Sequence, residues 1–299
     1  MQPPSRSVFP EGVAARSGEN YSTQTAQVYA MVDSVAGAGT SVDSVYKSGL
    51  PDFTRPPLVE VAVGLMFEPL EISAIAMAQL YSQWQEDYPS FEEHPAIPSS
   101  PSIPGLIFEV GVPRVRFWFL NNSGRLIQVQ RDRLIVNWRK EAASAAYPRY
   151  GSLRVELEKR VTQFSEFLEG RHKGPLRPNS IEVTYVNQVP LAGKSPNLSD
   201  IVSLLQSVPK EVGSPVETNI SVRFDASSQL ERKSAALVIN AQRNPTVDPP
   251  LAVLQLSCSI PVYDLPDAFD ALDKARYHVV QSFQSVTTDK MHDEWGIER

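Results

Sequence analysis

The chain has 299 residues, of which 42% are hydrophobic and 21% charged, and its formal net charge is −6 at pH 7. These values exclude a wholly disordered chain, a collagen and a coiled coil, and they predict a folded protein with two domains or two similar halves. A single cysteine, Cys258, excludes an internal disulfide framework and a cysteine-rich zinc site. No apolar run approaches the roughly 18 residues that span a bilayer, and the N-terminus does not resemble a signal peptide. We therefore expect a cytoplasmic protein that does not associate with a membrane.

Residues 1–54 differ from the rest of the chain, because Ser, Gly, Thr, Ala and Pro dominate and the apolar residues are small and scattered. We predict a flexible or partly helical N-terminal tail. Its one helical pattern runs from Thr23 to Ala36, with Ser22 as the candidate N-cap. We expect such a weak helix to become ordered, if at all, on a partner.

The first α+β half is predicted over residues 55–178. It begins after Pro57 with a strand whose apolar residues alternate with smaller or polar neighbours, and a helix follows because apolar residues recur at every fourth position from Ile72 to Tyr88. Six prolines between residues 89 and 113 predict a long irregular connection with one short strand at 106–110.

The most distinct hairpin of the sequence comes next, over residues 115–130, where two β-rich runs flank the turn formers Asn121 to Gly124. The triplet at 131–133 fits either a tight turn or a bulge in one long strand before the next strand resumes. An amphipathic helix over 153–168, closed by Gly170, ends this half.

The second half, residues 179–299, repeats the order of elements. A strand at 181–189 precedes a short helix that starts at Asn197, and three strand-like runs and a final helix over 269–286 follow. Both halves therefore read β-α-β-β-β-α. We predict an α+β fold of two pseudo-repeated units that form antiparallel sheet, with helices covering one face.

The charge is unevenly distributed along the chain. Residues 114–160 contain eleven Lys or Arg and four acids, which gives +7, so the remaining residues sum to −13. Such polarity predicts either a basic face for an anionic partner or an ordinary solvated surface.

Catalytic and metal-binding signatures are missing from the sequence. The four histidines are far apart without an HExxH motif, no GxSxG elbow occurs, and Cys258 lies in an apolar strand that predicts a buried small side chain. The segment Gly193-Lys194-Ser195 lies where a phosphate-binding loop would, but Gln188 stands where that motif needs glycine. We therefore predict a protein that is not an enzyme and needs no cofactor or metal.

Four motifs form a dense polar and aromatic block: Gln128 to Arg133, Asn137 to Arg139, Tyr147 to Tyr150, and Glu182 to Asn187. In this block the chain resembles a sporadically distributed family of bacterial proteins of unassigned function, marked by QxQRDR, NWR, YPRY and EVTYxN segments and by a PPLVEV opening. The resemblance covers residues 56 to the C-terminus. It carries over no catalytic residue and implies an accessory role such as antiviral defence.

The same residues have two interpretations. They are either core aromatics and arginines that pair with Asp132, Glu141 or Glu182, or a groove for a partner. The candidate partner-binding residues are Arg131, Asp132, Arg133, Asn137, Trp138, Arg139, Tyr147, Arg149, Tyr150, Tyr185 and Asn187.

Our main hypothesis is a non-enzymatic binding module, a protein-interaction or sensor component of a bacterial defence or toxin-control system, whose protein partner is encoded by a neighbouring gene. One alternative is a nucleic-acid-binding protein that uses an open sheet face and the basic segment 114–160. A further alternative is a small-molecule pocket between helices and sheet. The sequence leaves the oligomeric state open.

Overall fold

A computed structural model describes residues 50–97, 115–140, 146–171, 173–192, 197–205, 218–244 and 246–298. Several predicted features lie outside these residues. They are the tail up to residue 49 with its helix at 23–36, the short strand at 106–110, and the loop at 193–195.

The described chain contains eleven strands and five α-helices. The strands are β1 Asp52–Phe53, β2 Leu58–Phe67, β3 Ser90–Pro95, β4 Val115–Leu120, β5 Arg125–Gln130, β6 Arg133–Arg139, β7 Pro178–Pro190, β8 Asn219–Asp225, β9 Ala236–Asn244, β10 Leu251–Pro261 and β11 Ile297–Glu298. The helices are α1 Ala74–Trp84, α2 Tyr150–Glu169, α3 Ser227–Leu230, α4 Leu265–Val286 and α5 Asp289–Trp295, with 3-10 turns at Leu198–Asp200 and Ser203–Leu205.

Nine of the strands form one antiparallel sheet in the order β3-β4-β5-β6-β2-β7-β10-β9-β8. The first strands of the two predicted halves, β2 and β7, lie side by side at its centre. Strand β1 pairs separately with β11 and so lies within the segment for which the sequence predicts a tail. The predicted α+β class with antiparallel sheet is confirmed.

The core follows from the alternation of side chains along the central strands. Val61, Val63 and Leu65 of β2 are fully buried, and their cross-strand neighbours on β6 and β7 are apolar or aromatic. We call this side of the sheet the apolar face. The opposite side carries Glu60 and its neighbours in register and is called the polar face.

Helices α1 and α2 contact the apolar face, and α4 contacts β7, β10 and α2. Phe164 of α2 packs on Phe67 with ring centroids 5.8 Å apart, and Trp84 of α1 meets Phe119 of β4 at 5.1 Å. Helix α4 packs on β7 and β10. The hydroxyl of Tyr150 in α2 donates to Asp273 of α4 at 2.7 Å, which joins the two long helices.

Helix ends follow local sequence rules. Ser73 caps α1 by accepting from the backbone N–H of Ala76 at 3.2 Å, and Asp264 caps α4 by accepting from Asp267 at 2.8 Å. Helix α2 instead follows Arg149, whose φ of 69° is a left-handed conformation that disfavours a side chain.

Two predicted elements differ from the structure. The segment Ser90–Pro95, predicted to be irregular, forms the edge strand β3, because Phe91 stacks on Phe117 of β4 at 5.6 Å and the prolines lie at its ends. The helix predicted from Asn197 is reduced to two 3-10 turns, although Asn197 and Asp200 do form a capping box. Among the described residues, no helix combines the length and apolar character needed to cross a bilayer.

Candidate polar-face site

The structure separates the predicted partner-binding residues onto the two faces of the sheet. Trp138 lies opposite Val61 on the apolar face, whereas Asn137 and Arg139 point to the polar face because successive strand residues alternate. The predicted block therefore does not lie on one surface, and its role in binding a partner stays a prediction.

The aromatic members of the block belong to the interior beside the helices. Trp138 packs against Tyr147 at 5.2 Å, and the hydroxyls of Tyr147 and Tyr185 lie 3.2 Å apart. Burial and the neighbouring Asp273 carboxylate raise the pKa of Tyr150 well above its ordinary value, so its phenol stays protonated as the donor to Asp273. These residues join strands to helices.

The triplet at 131–133 is the tight turn between β5 and β6, and its backbone anchors the start of the α1 connection. The carbonyl of Arg131 accepts from the N–H of Leu70 at 2.7 Å, and that of Asp132 accepts from Phe67 at 2.9 Å. Arg133 donates to the buried Asp132 carboxylate through Nε at 3.2 Å. The contacts of this turn hold the β5–β6 connection against the end of β2.

Two further candidates also have local partners. The side-chain amide of Asn187 is buried and donates to the carbonyl of Leu254 at 3.3 Å. Arg149 is exposed and pairs with Asp52 of β1 at 3.0 Å. The first contact connects β7 to β10, and the second connects the start of α2 to β1.

The basic segment does not form a uniformly basic face, because acids from outside it neutralise its cations. Arg139 pairs with Glu60, Arg149 with Asp52, and Arg154 with Asp273. Lys159 and Arg160 both contact Asp87. The sequence predicted Asp132, Glu141 or Glu182 as pairing acids. Asp132 is confirmed for Arg133, Glu141 lies outside the described residues, and most of the pairing acids come from distant segments.

A chain of hydrogen bonds crosses four neighbouring strands on the polar face. The Nη1 of Arg116 in β4 donates to Gln128 of β5 at 2.8 Å, and the Gln128 amide donates to Asn137 of β6 at 2.8 Å. The Asn137 amide then donates to Glu60 of β2 at 2.7 Å, and Arg139 pairs with the same Glu60 oxygen at 3.3 Å. Gln128 and Asn137 are buried, at 4% and 2% exposure, so this network is fixed in position.

Trp118 lies beside this network and is surrounded by cationic or titratable groups. The ring of His94 stacks on it with centroids 3.8 Å apart, and the guanidinium carbons of Arg139 and Arg116 lie 4.5 and 5.1 Å from its ring centroid. Both arginines are within the range of a cation–π contact. We call Trp118, His94, Arg116, Arg139 and Glu60 the Trp118 cluster.

Burial and neighbouring charges shift the pKa of one member of the cluster, Arg116. Desolvation lowers the pKa of Arg116, and repulsion from the Arg139 and Arg133 guanidinium groups lowers it further, while Glu60 acts in the opposite direction. Arg133 is itself paired with Asp132, and Glu92 is hydrogen-bonded to His94 beside Trp118. Cation–π stacking and donor groups equip this site to bind a partner group.

Sequence reasoning identified Arg139 and Asn137 but not the rest of this site. Trp118 and Arg116 belong to the basic segment 114–160 of the nucleic-acid alternative, but neither was predicted as a partner-binding residue. His94 lay in a segment predicted to be irregular, and Glu60 was only a polar position between apolar ones in β2. The period-two alternation of β2 and β4 is the signal that places Glu60, Arg116 and Trp118 on one face.

Outside the Trp118 cluster, burial shifts the pKa values of Cys258 and His278. Cys258 is fully buried, as predicted, and burial raises the pKa of its thiol to about 12, which keeps it a thiol. Burial also lowers the pKa of His278. Within the described ranges, no group of three or more His, Cys, Asp or Glu side chains is placed to hold a metal ion.

No protein-family model matches the sequence, and no curated protein is significantly similar to it. The resemblance to a bacterial family through its QxQRDR, NWR, YPRY and EVTYxN segments stays a prediction.

Proposed function

We propose that this protein is a non-enzymatic binding module that recognises a protein partner through the Trp118 cluster on the polar face. The observation that carries the proposal is the stacking of two arginines and a histidine on one tryptophan above a fixed polar network. Tryptophan and arginine are the side chains most enriched at energetically dominant positions of protein interfaces.

We infer that the helices cover the apolar face and that the polar face is open along β10, whereas β5 and β6 are buried on both faces. Helices α1 and α2 contact aromatic residues of the apolar face, and a hydrogen bond joins α4 to α2. Strand β10 supports this inference, because Leu254, Leu256 and Cys258 are buried while Gln255 and Ser257 between them keep partial exposure. An antiparallel sheet commonly leaves one face to solvent in this way.

The strand order also favours an internal duplication. From the central pair outwards, β2, β6, β5 and β4 on one side correspond to β7, β10, β9 and β8 on the other. Each series ends in a long helix, α2 or α4. We propose two pseudo-repeated units, of which only the first carries the Trp118 cluster, since the polar-face positions of β8, the counterpart of β4, include no aromatic residue: Asn219, Ser221, Arg223 and Asp225.

The proposal is tested by affinity capture from host lysate. Wild type is compared with Arg116→Ala plus Trp118→Ala, and a matched control carries Arg131→Gln plus Arg149→Gln, two arginines outside the cluster. We expect a partner that mass spectrometry identifies, that rebinds as a purified protein, and that only the first variant loses. Equal retention by all three proteins would refute the site, and no rebinding of any purified candidate would refute the module.

Nucleic-acid binding is the second candidate, because Trp118 with stacked arginines has the composition of a base-stacking platform. The pairing of the basic segment with acids counts against it, since a basic surface supplies most of such affinity. Fluorescence anisotropy with labelled single-stranded and duplex oligonucleotides at low salt tests it. Binding that weakens steeply with salt and requires Trp118 would support it, and no binding at low salt would dismiss it.

The resemblance adds the proposal of a role in bacterial defence or toxin control. Deletion of the gene followed by phage challenge tests that role. Unchanged phage sensitivity across a diverse panel would remove it without affecting the binding proposal.

A further inference from the structure

The hydrogen-bond inventory of the Trp118 cluster is unbalanced. The indole Nε1 of Trp118, the Nε of Arg116 and the Nε of Arg139 are buried atoms without a hydrogen-bond acceptor among the described residues. The Arg139 Nε lies 3.3 Å from Glu60, but as an ion-pair contact rather than a hydrogen bond. All three unsatisfied atoms are donors. A buried donor left without an acceptor costs stability, so three of them in one cluster call for an explanation.

The nearest acceptors of the cluster have partners of their own, and Glu92, the cross-strand neighbour of Trp118, is hydrogen-bonded to His94 at 2.8 Å. The Glu60 carboxylate accepts from Asn137 and pairs with Arg139, and the Gln128 carbonyl oxygen accepts from Arg116. Among the described residues, none of these oxygens accepts from the three N–H groups, so an acceptor supplied by a partner would satisfy them. Because the cationic side chains of Arg116 and Arg139 both lie on Trp118, we expect this acceptor to be negatively charged.

The group is reachable from solvent. The side chains of Arg139 and His94 are 37% and 31% exposed, although the Nε atoms themselves are covered. Arg116 donates to Gln128 through Nη1, so an anion that engages the Nε edge of the guanidinium must first displace the side chains that cover this Nε.

We infer that the Trp118 cluster is an anion-recognition site that takes an acidic group of the partner protein, a carboxylate or a phosphoryl group, on the N–H donors of Trp118, Arg116 and Arg139. This inference rests on the proposed function and names the chemical group that the site binds. The shared chemistry is a set of negatively charged oxygens, and the experiment separates the two sources.

The test uses the full chain labelled with ¹⁵N and follows the four tryptophan indole N–H signals, with Trp118 assigned from Trp118→Phe. Inorganic phosphate and an acetylated, amidated tetraglutamate peptide are the two probes, each titrated at constant ionic strength. We expect a saturable shift of the Trp118 signal, while Trp84, Trp138 and Trp295 stay in place. Saturation by phosphate alone identifies a phosphoryl site, and saturation by the peptide alone a carboxylate site.

Variants decide whether the three donors hold the anion. Arg116→Gln and Arg139→Gln should each weaken binding about tenfold or more, because each removes a charge-assisted hydrogen bond. Trp118→Phe keeps the ring but loses the N–H, so calorimetry should show weaker binding too. Arg171→Gln is the matched control, since Arg171 also stacks on an aromatic ring, Phe167 at 4.5 Å, outside the cluster.

No saturable shift with either probe would overturn the inference, as would equal weakening by Arg171→Gln. These outcomes are distinct from failure of the proposed function. A partner that is captured through Trp118 while neither anion binds would sustain the binding module and remove the anion site. Anion binding without any protein partner would do the reverse.

Discussion

The pairing of the basic segment with distant acids predicts that Arg160 is a stability residue rather than a recognition residue. Its side chain is 1% exposed, donates from Nε to Glu156 at 2.7 Å, and contacts Asp87 in the turn after α1. Its guanidinium also lies over Trp84 and Tyr88, at 5.4 and 5.0 Å from the ring centroids. Arg160 therefore connects α2 to α1.

The substitution Arg160→Met keeps most of the apolar stem and removes the charge. The bond to Glu156, whose side chain is 15% exposed, is worth about 1.5–3 kcal/mol as a hydrogen bond between charged groups. The half-exposed Asp87 adds at most about 1 kcal/mol, and the two ring contacts about 0.5–1 kcal/mol each. Because such contributions overlap, we expect a loss of about 2–4 kcal/mol in the free energy of unfolding.

Urea denaturation followed by circular dichroism measures this loss. Lys159→Met is the matched control, because Lys159 contacts the same Asp87 at 3.0 Å but is 40% exposed, and its removal should cost less than about 0.5 kcal/mol. Equal effects of the two substitutions, or no effect of either, would refute the reasoning.

Acidification supplies a second check on the same contact. Hydrogen bonds from Arg160 and Lys159 lower the pKa of Asp87 in the folded protein. A carboxyl with a lowered pKa stabilises the fold above its unfolded pKa of about 3.9 and loses that contribution as the pH falls through the folded value. The stability difference between wild type and Arg160→Met should therefore be largest near neutral pH and should narrow below about pH 4.

Three further predictions follow from individual contacts. Asn137→Leu breaks the link between Gln128 and Glu60 and leaves buried polar groups unpaired, so urea denaturation should show a loss of about 1–3 kcal/mol, and an unchanged midpoint would contradict the network. Burial raises the pKa of Asp273, so its carboxyl costs stability as the pH rises from about 4 through that raised value. Over this pH range, the free energy of unfolding of Asp273→Asn should therefore fall less steeply with rising pH than that of wild type. An equal pH dependence of the two proteins would contradict the prediction. The Cys258 thiol, with a pKa of about 12, should resist iodoacetamide at pH 8 in the native protein and react in urea, as intact-mass spectrometry can show, whereas rapid native alkylation would contradict its burial.

The sequence predicted those parts of the fold whose periodicity is strong. The alternation in β2 and the four-residue spacing in α1, α2 and α4 placed these elements correctly, because burial of one face leaves a regular pattern. The edge strand β3 escaped prediction, since its pairing depends on aromatic contacts with β4 rather than on its own pattern. The segment after Asn197 carries a good capping signal, but it forms only 3-10 turns.

The candidate site was harder to predict than the fold. Adjacent motif letters such as Asn137, Trp138 and Arg139 suggest one surface, yet alternation sends Trp138 to the opposite side from its neighbours. The net charge of the segment 114–160 was similarly misleading, because Arg154 pairs with Asp273 and Arg160 pairs with Asp87 only in the folded chain. Pairing between distant residues is a property of topology, and no local window of sequence contains it.

The affinity of the purified, identified partner for single-site variants tests the central claim most directly. We expect biolayer interferometry to show at least about tenfold weaker binding by Trp118→Ala, in line with truncation of a dominant interface residue, and unchanged binding by Arg149→Gln. The reverse pattern, with full affinity in Trp118→Ala and a loss in Arg149→Gln, would contradict recognition through the polar face.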